Sequence, residues 1–194
     1  MPIKVTHHST DAADLLKKLR GFSVKAGWFE NAKYDDNKPV AGIAAVQDGG
    51  ATISHPGGTP YKFGKNGEVV FVEKGTPNPV GITRPHTIVI PPRPFMKPSV
   101  EDNKEELIGQ LELISRRILS GEITEKQAAE MIGAIMAGNI KKAIAKVNTP
   151  PLKASTVRRK RSGYADTKTT GSLTKPLIGS GHLLETVDYQ AELK

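Results

Sequence analysis

Five histidines, at positions 7, 8, 55, 86 and 182, are the side chains of this sequence best suited to bind a metal or move a proton. No His-x-x-x-His spacing places two imidazoles on one helix face, and the chain has no cysteine to complete a ligand set. His55 and His86 are the one pair that a folded-back segment could bring together at a metal. Turn residues, or polar contacts at an interface, are the plainer roles. The absence of cysteine also removes any disulfide framework and any cysteine nucleophile. Asp35-Asp36 and Glu105-Glu106 are adjacent acids in exposed contexts, without the opposed, half-buried geometry of paired catalytic carboxylates. His55-Pro-Gly-Gly58 and Gly64-Lys-Asn-Gly67 lack the phosphate-cradling spacing and join no strand to a helix, so they read as turns. Ser162, Ser172 and Ser180 have no nucleophile elbow around them. The sequence therefore offers no catalytic constellation and calls for no cofactor.

Charge gives a sharper signal. The net charge is +8, and residues 150–161 carry Lys153, Arg158, Arg159, Lys160 and Arg161 with no acid among them. Three readings stand for such a run: a solvated face, a protein interface, or phosphate contacts with counterion release. Aromatic residues for base stacking are missing nearby apart from Tyr164, and no helix-turn-helix spacing is evident.

Several elements must position these residues. Thr10 to Arg20 reads as a short amphipathic helix stopped by Gly21, and Ser23 to Glu30 as a strand with Val24, Ala26 and Trp28 on one face. Val40 to Val46 is a small-residue helix ended by Gly49-Gly50. In 51–92, Val69 to Val72 and Thr87 to Ile90 look like strands on either side of a Gly/Pro-rich connection, which predicts an inserted β-hairpin or long arm. So few core-forming residues in an arm point to stabilisation by a neighbour. Residues 101–120 place Leu107, Leu111, Ile114 and Ile118 on one helical face, with acids at the N-terminal end. Thr124-Glu-Lys-Gln127 resembles a capping box opening a helix to about Val147, and Thr149-Pro-Pro151 ends it. Beyond the basic run, 162–176 reads as a flexible Gly/Ser/Thr-rich loop. Thr186 to Leu193 then alternates as a strand that returns to pair with 23–30.

The connector Ile90-Pro-Pro-Arg-Pro-Phe-Met96 is a stiff extended device, because its prolines fix φ and remove donors. It must hold Arg93 and Phe95 at a set angle to the helices that follow. We read Phe95 as a buried anchor and Arg93 as a carboxylate fork, against a core or a partner. The resulting expectation is a single α+β domain over 1–194, in which a small antiparallel sheet packs against two longer helices. It carries the inserted arm at 51–92 and the flexible loop at 162–176. No stretch has the length of a membrane span, and the N-terminus lacks a signal-peptide core.

Three segments together resemble one family. Val24-Lys-Ala-Gly-Trp-Phe-Glu-Asn-Ala-Lys-Tyr34 running into Val40-Ala-Gly-Ile-Ala-Ala45 is similar to its opening strand–turn–helix. Ile90-Pro-Pro-Arg-Pro-Phe-Met96 is similar to its proline signature. Thr149 to Lys160, then Lys175-Pro-Leu-Ile-Gly-Ser-Gly-His-Leu183 and Thr186-Val-Asp-Tyr189, resemble its ending. The family comprises neck, tail-completion and virion-morphogenesis proteins of tailed bacteriophages. Two departures stand out: Gln47-Asp-Gly-Gly50 opens the 51–92 excursion where relatives have a short link, and Gly179 stands where many have Asp.

The resemblance implies a structural virion protein made in the host cytoplasm. It would form a ring, commonly hexameric, beside head-closure, connector or tail-tube proteins, with genomic DNA passing through the lumen. It implies no membrane association, enzyme activity or cofactor. Arg93, Phe95 and the basic residues 153 and 158–161 are then candidate interface residues, with the basic run docking on an acidic neighbour. A basic DNA-binding accessory protein is the alternative.

Overall fold

A computed structural model of the chain describes residues 21–64, 67, 69–161 and 173–193. The helix expected at 10–20, His7, His8 and residues 162–172 of the expected loop lie outside the described residues. The fold is α+β. Its elements run β1 (Phe22–Gly27), α1 (Val40–Gly49), β2 (Ala51–His55), β3 (Pro60–Phe63), β4 (Val69–Phe71), β5 (Gly81–Ile82), β6 (His86–Ile90), α2 (Met96–Glu101), α3 (Lys104–Leu119), α4 (Glu125–Lys146), α5 (Ala154–Arg161), α6 (His182–Glu185) and β7 (Asp188–Leu193).

The first and last strands pair antiparallel, with Val24 opposite Ala191 and Ala26 opposite Tyr189. Alternation on both segments had pointed to this pairing, although Trp28 and Val187 fall just outside the strands. The sheet lies against α4, and one glycine sets how closely. A Cβ at Gly133 would fall 2.2 Å from Cδ2 of Tyr189, so the tyrosine ring rests directly on the helix backbone. One core, against which Tyr189 packs, is built from Val40 and Ala44 of α1, Phe95, Ile140 and Ile144 of α4, and Val187. Fully burying a side chain such as Phe95, Ile144 or Val40 contributes roughly 1.5–3 kcal/mol each.

A second cluster joins the two longer helices through Ile114, Ile118 and Ala128, and Phe22 of the sheet packs against it. Thr124 starts α4 with a full capping box. Its hydroxyl accepts from Gln127 N at 3.2 Å, while Gln127 Oε1 accepts from Thr124 N at 2.9 Å.

The arm differs from the hairpin expected between 69–72 and 87–90. These two strands do not pair with each other. Instead β6 pairs with β2, Ile88 opposite Ile53, and β4 pairs with β3, Phe71 opposite Tyr61. β5 closes a three-stranded sheet in the order β4-β3-β5. Non-local pairing explains the difference, since the partner strands 51–55 and 60–63 are short and flanked by Gly and Pro. The basic run folds as a helix over Ala154–Arg161.

Candidate functional site

The proline connector is where the separate segments meet. Its direction is fixed first at the end of α1, where Gly50 takes φ +74 and a Cβ there would press on Ile90 O and Pro92 N at 2.9 Å. Arg93 N then donates to Gln47 O at 2.9 Å. Asp48 Oδ1 accepts from Phe95 N at 2.7 Å and from Met96 N at 2.9 Å. A carboxylate from α1 thus satisfies the free donors that open α2, where the helix dipole also favours negative charge.

Phe95 is fully buried, and its ring meets that of Trp28 edge-on, with centroids 5.8 Å apart. Trp28 Nε1 in turn donates to Leu183 O at 2.9 Å. The anchor expected at Phe95 therefore sits in the chain's own core. Arg93 requires a correction. It is 8 % exposed, yet among the described residues it forks no carboxylate. Its Nε donates to Pro150 O at 3.2 Å, and its Nη1 donates weakly to Gln47 Oε1 at 3.4 Å. The guanidinium bridges α1 to the Thr149-Pro-Pro151 stop after α4, a neutral partnership inside one subunit.

The basic residues separate. Lys153, Arg158 and Arg161 are exposed, and none forms an ion pair among the described residues. Arg159 lies in α5, with its side chain outside the described residues. Lys160 turns inward: its Nζ donates to Lys175 O at 2.8 Å and Ile178 O at 2.7 Å. Burial holds its ammonium below the ordinary lysine value. Lys160 is thus a clamp on the returning chain, not part of an open patch. Lys175 adds a second clamp, its Nζ donating to Ala145 O at 2.7 Å in the last turn of α4. The 173–176 end of the loop expected to be flexible is therefore tied to the core.

The three described histidines find local roles. His55 and His86 stack at opposed positions of β2 and β6, with centroids 4.9 Å apart. His55 Nδ1 accepts from Gly57 N at 3.0 Å, so a neutral His55 carries its proton on Nε2, where a metal would need a lone pair. Among the described residues no three metal-ligating side chains cluster. His182 Nε2 bonds Lys33 O at 2.9 Å beside the Tyr34 ring, at a shallow cleft of about 220 Å³ that Gln47 and Leu183 also line.

Sequence reasoning missed Gln47 and Asp48, which it took only as the start of the excursion. No local pattern marks a carboxylate that caps a helix in another part of the chain. No helix among the described residues is long and apolar enough to cross a membrane. No family model, no curated protein and no solved structure matches the chain.

Proposed function

We propose that this chain is a structural subunit of a tailed-bacteriophage virion, forming part of the neck or tail-completion ring at the head–tail junction. A hexamer is the expected closure, and head-closure, connector or tail-tube proteins are the expected neighbours. In this reading the subunit has no catalytic role and no cofactor, assembles in the host cytoplasm and stays in the virion.

One observation carries the reading. The three segments that resemble the family converge on one point: Trp28 from the first, Phe95 from the second, and Pro150 and Leu183 from the third. Residues scattered over the chain thus form a single packed unit around the connector. The 51–92 excursion, the main departure from the family pattern, stays outside this core and leaves apolar side chains in water. That exposure supports the reading of a subunit completed by neighbours.

Light scattering on the purified protein at low and high salt tests the proposal. A discrete ring-sized species supports it. A monomer of 20.9 kDa at every concentration turns attention to the second reading, a DNA-binding accessory protein. The exposure of Lys153, Arg158 and Arg161 on one short stretch favours that alternative. Its signature is DNA affinity falling steeply with salt and lost with these residues.

A further inference from the structure

Among the described residues, all but one of the exposed large hydrophobic side chains, Leu193, fall into two groups. Eight of the thirteen belong to 51–92, and four belong to the helical stretch from Met96 to Leu113. In the arm the register places Phe63, Val69 and Phe71 on one face of the β4-β3-β5 sheet, beside Tyr61. Ile82, opposite Pro60, lies on the other face and is 61 % exposed. Lys62 and Val70 share that second face, so the face of Phe63, Val69 and Phe71 is the fully apolar one, where an ordinary solvated face would be polar. Three short strands with a fully apolar face in water need cover to hold their shape.

We propose that a second copy of this chain supplies the cover: the arm of one subunit lies on helices α2 and α3 of the next. This rests on the ring reading above. Three features single out that occupant. Phe63, Val69 and Phe71, 49–57 % exposed on one face of one sheet, form a contiguous apolar patch of the kind that marks an interaction surface. The helices offer the complementary group, with Met96 and Val100 one turn apart on α2, and Ile108 and Leu113 on α3. Charge agrees as well. Residues 51–92 hold four bases, Lys62, Lys65, Lys74 and Arg84, against two acids, while 101–112 hold five acids against Lys104 alone. Two unlike patches that fit each other make a head-to-tail contact, the kind that closes a ring.

The chain has no cysteine, so engineered thiols report this contact cleanly. Phe71→Cys and Val100→Cys proteins are mixed and briefly oxidised. The expected result is a disulfide dimer in the mixture that neither protein forms alone at the same rate. The doubly substituted chain is expected to give a ladder of covalent multimers. Phe71→Glu, at a residue exposed in the subunit, is expected to reduce the light-scattering mass to a single chain while leaving the emission of Trp28 unchanged. An oligomer that survives Phe71→Glu and shows no cross-link overturns the arm contact but leaves the ring reading standing. Cross-linking of the doubly substituted chain that stops at two subunits supports the contact and overturns the ring. A monomer with no cross-link at any concentration overturns both.

Discussion

Asp48 and Phe95 are joined by a 2.7 Å hydrogen bond between a side-chain oxygen and a backbone amide 47 positions on. The same oxygen takes the amide of Met96, so one carboxylate sets both the end of the connector and the start of α2. Helix caps and charged acceptors of this kind are worth about 2 kcal/mol. Asp48→Ala is therefore expected to lower unfolding free energy by about 2 kcal/mol, and Asp48→Asn by about half that. Urea denaturation midpoints at unchanged slope measure the difference.

Phe95→Ala leaves a cavity where an entire ring was enclosed, and costs roughly 3–5 kcal/mol. Phe95→Leu costs less and keeps the chain folded. Because Trp28 is the sole tryptophan and lies against Phe95, its emission is expected to shift in Phe95→Leu. Unchanged Trp28 emission in folded Phe95→Leu would contradict the packing described.

Gly133→Ala places opposite effects on one residue. Alanine gains about 1 kcal/mol of helix propensity over glycine. Its methyl would lie 2.2 Å from the Tyr189 ring, and overpacking of this kind costs typically 1–3 kcal/mol. The clash is deep and involves the root of the ring, so the net expectation is destabilisation. In a Tyr189→Ala background the same substitution is expected to become neutral or stabilising. Thermal melts of the four proteins in the cycle show it.

The core was legible because its signals are local. Alternation around Val24 and Tyr189 marked two strands whose pairing follows from lack of other partners, and Thr124 with Gln127 spelled a helix start. The prolines of 91–94 announced a stiff connector, and the size of Phe95 announced its anchor. The illegible parts rest on distant partners. Strand β6 pairs with β2, not with the strand that stands out before it, since pleated segments of three to five residues carry too little pattern to choose. Arg93 looked like a fork for a carboxylate because guanidinium geometry suits one, yet two neutral oxygens brought in by folding take its place. Lys160 looked like one more surface cation, and only the return of the chain at 175–178 gives it two carbonyls.

Arg93 holds neutral acceptors from two directions, so charge alone does not replace it. Arg93→Ala strands Pro150 O and loosens the connector, with an expected cost of about 2 kcal/mol. Arg93→Lys is expected to recover little, because a single ammonium cannot reproduce the planar spread of Nε and Nη1. Stability losses that precede any change in assembly mark an internal connector residue. Loss of assembly at full stability would instead make Arg93 a partner contact.

Alkaline pH acts on the fold through two groups with opposite signs. Lys160 is held by burial below the ordinary value of 10.5. Between its lowered folded value and 10.5 the unfolded chain binds more protons, so this group's contribution to stability rises with pH. Tyr34 is raised above 10.0, first by burial and then by the charge of Asp36. From 10.0 up to that raised value the folded chain binds more protons, so the contribution of Tyr34 is fully present below 10.0 and is lost as pH rises. Single variants separate the two. Relative to the wild type, Lys160→Met is expected to lose stability progressively as pH rises towards 10.5, and Tyr34→Phe to gain it above 10.0. Urea titrations across the alkaline range check both signs, and phenolate absorbance shows whether Tyr34 ionises late. A Tyr34→Phe curve parallel to the wild type throughout would remove Tyr34 from the account.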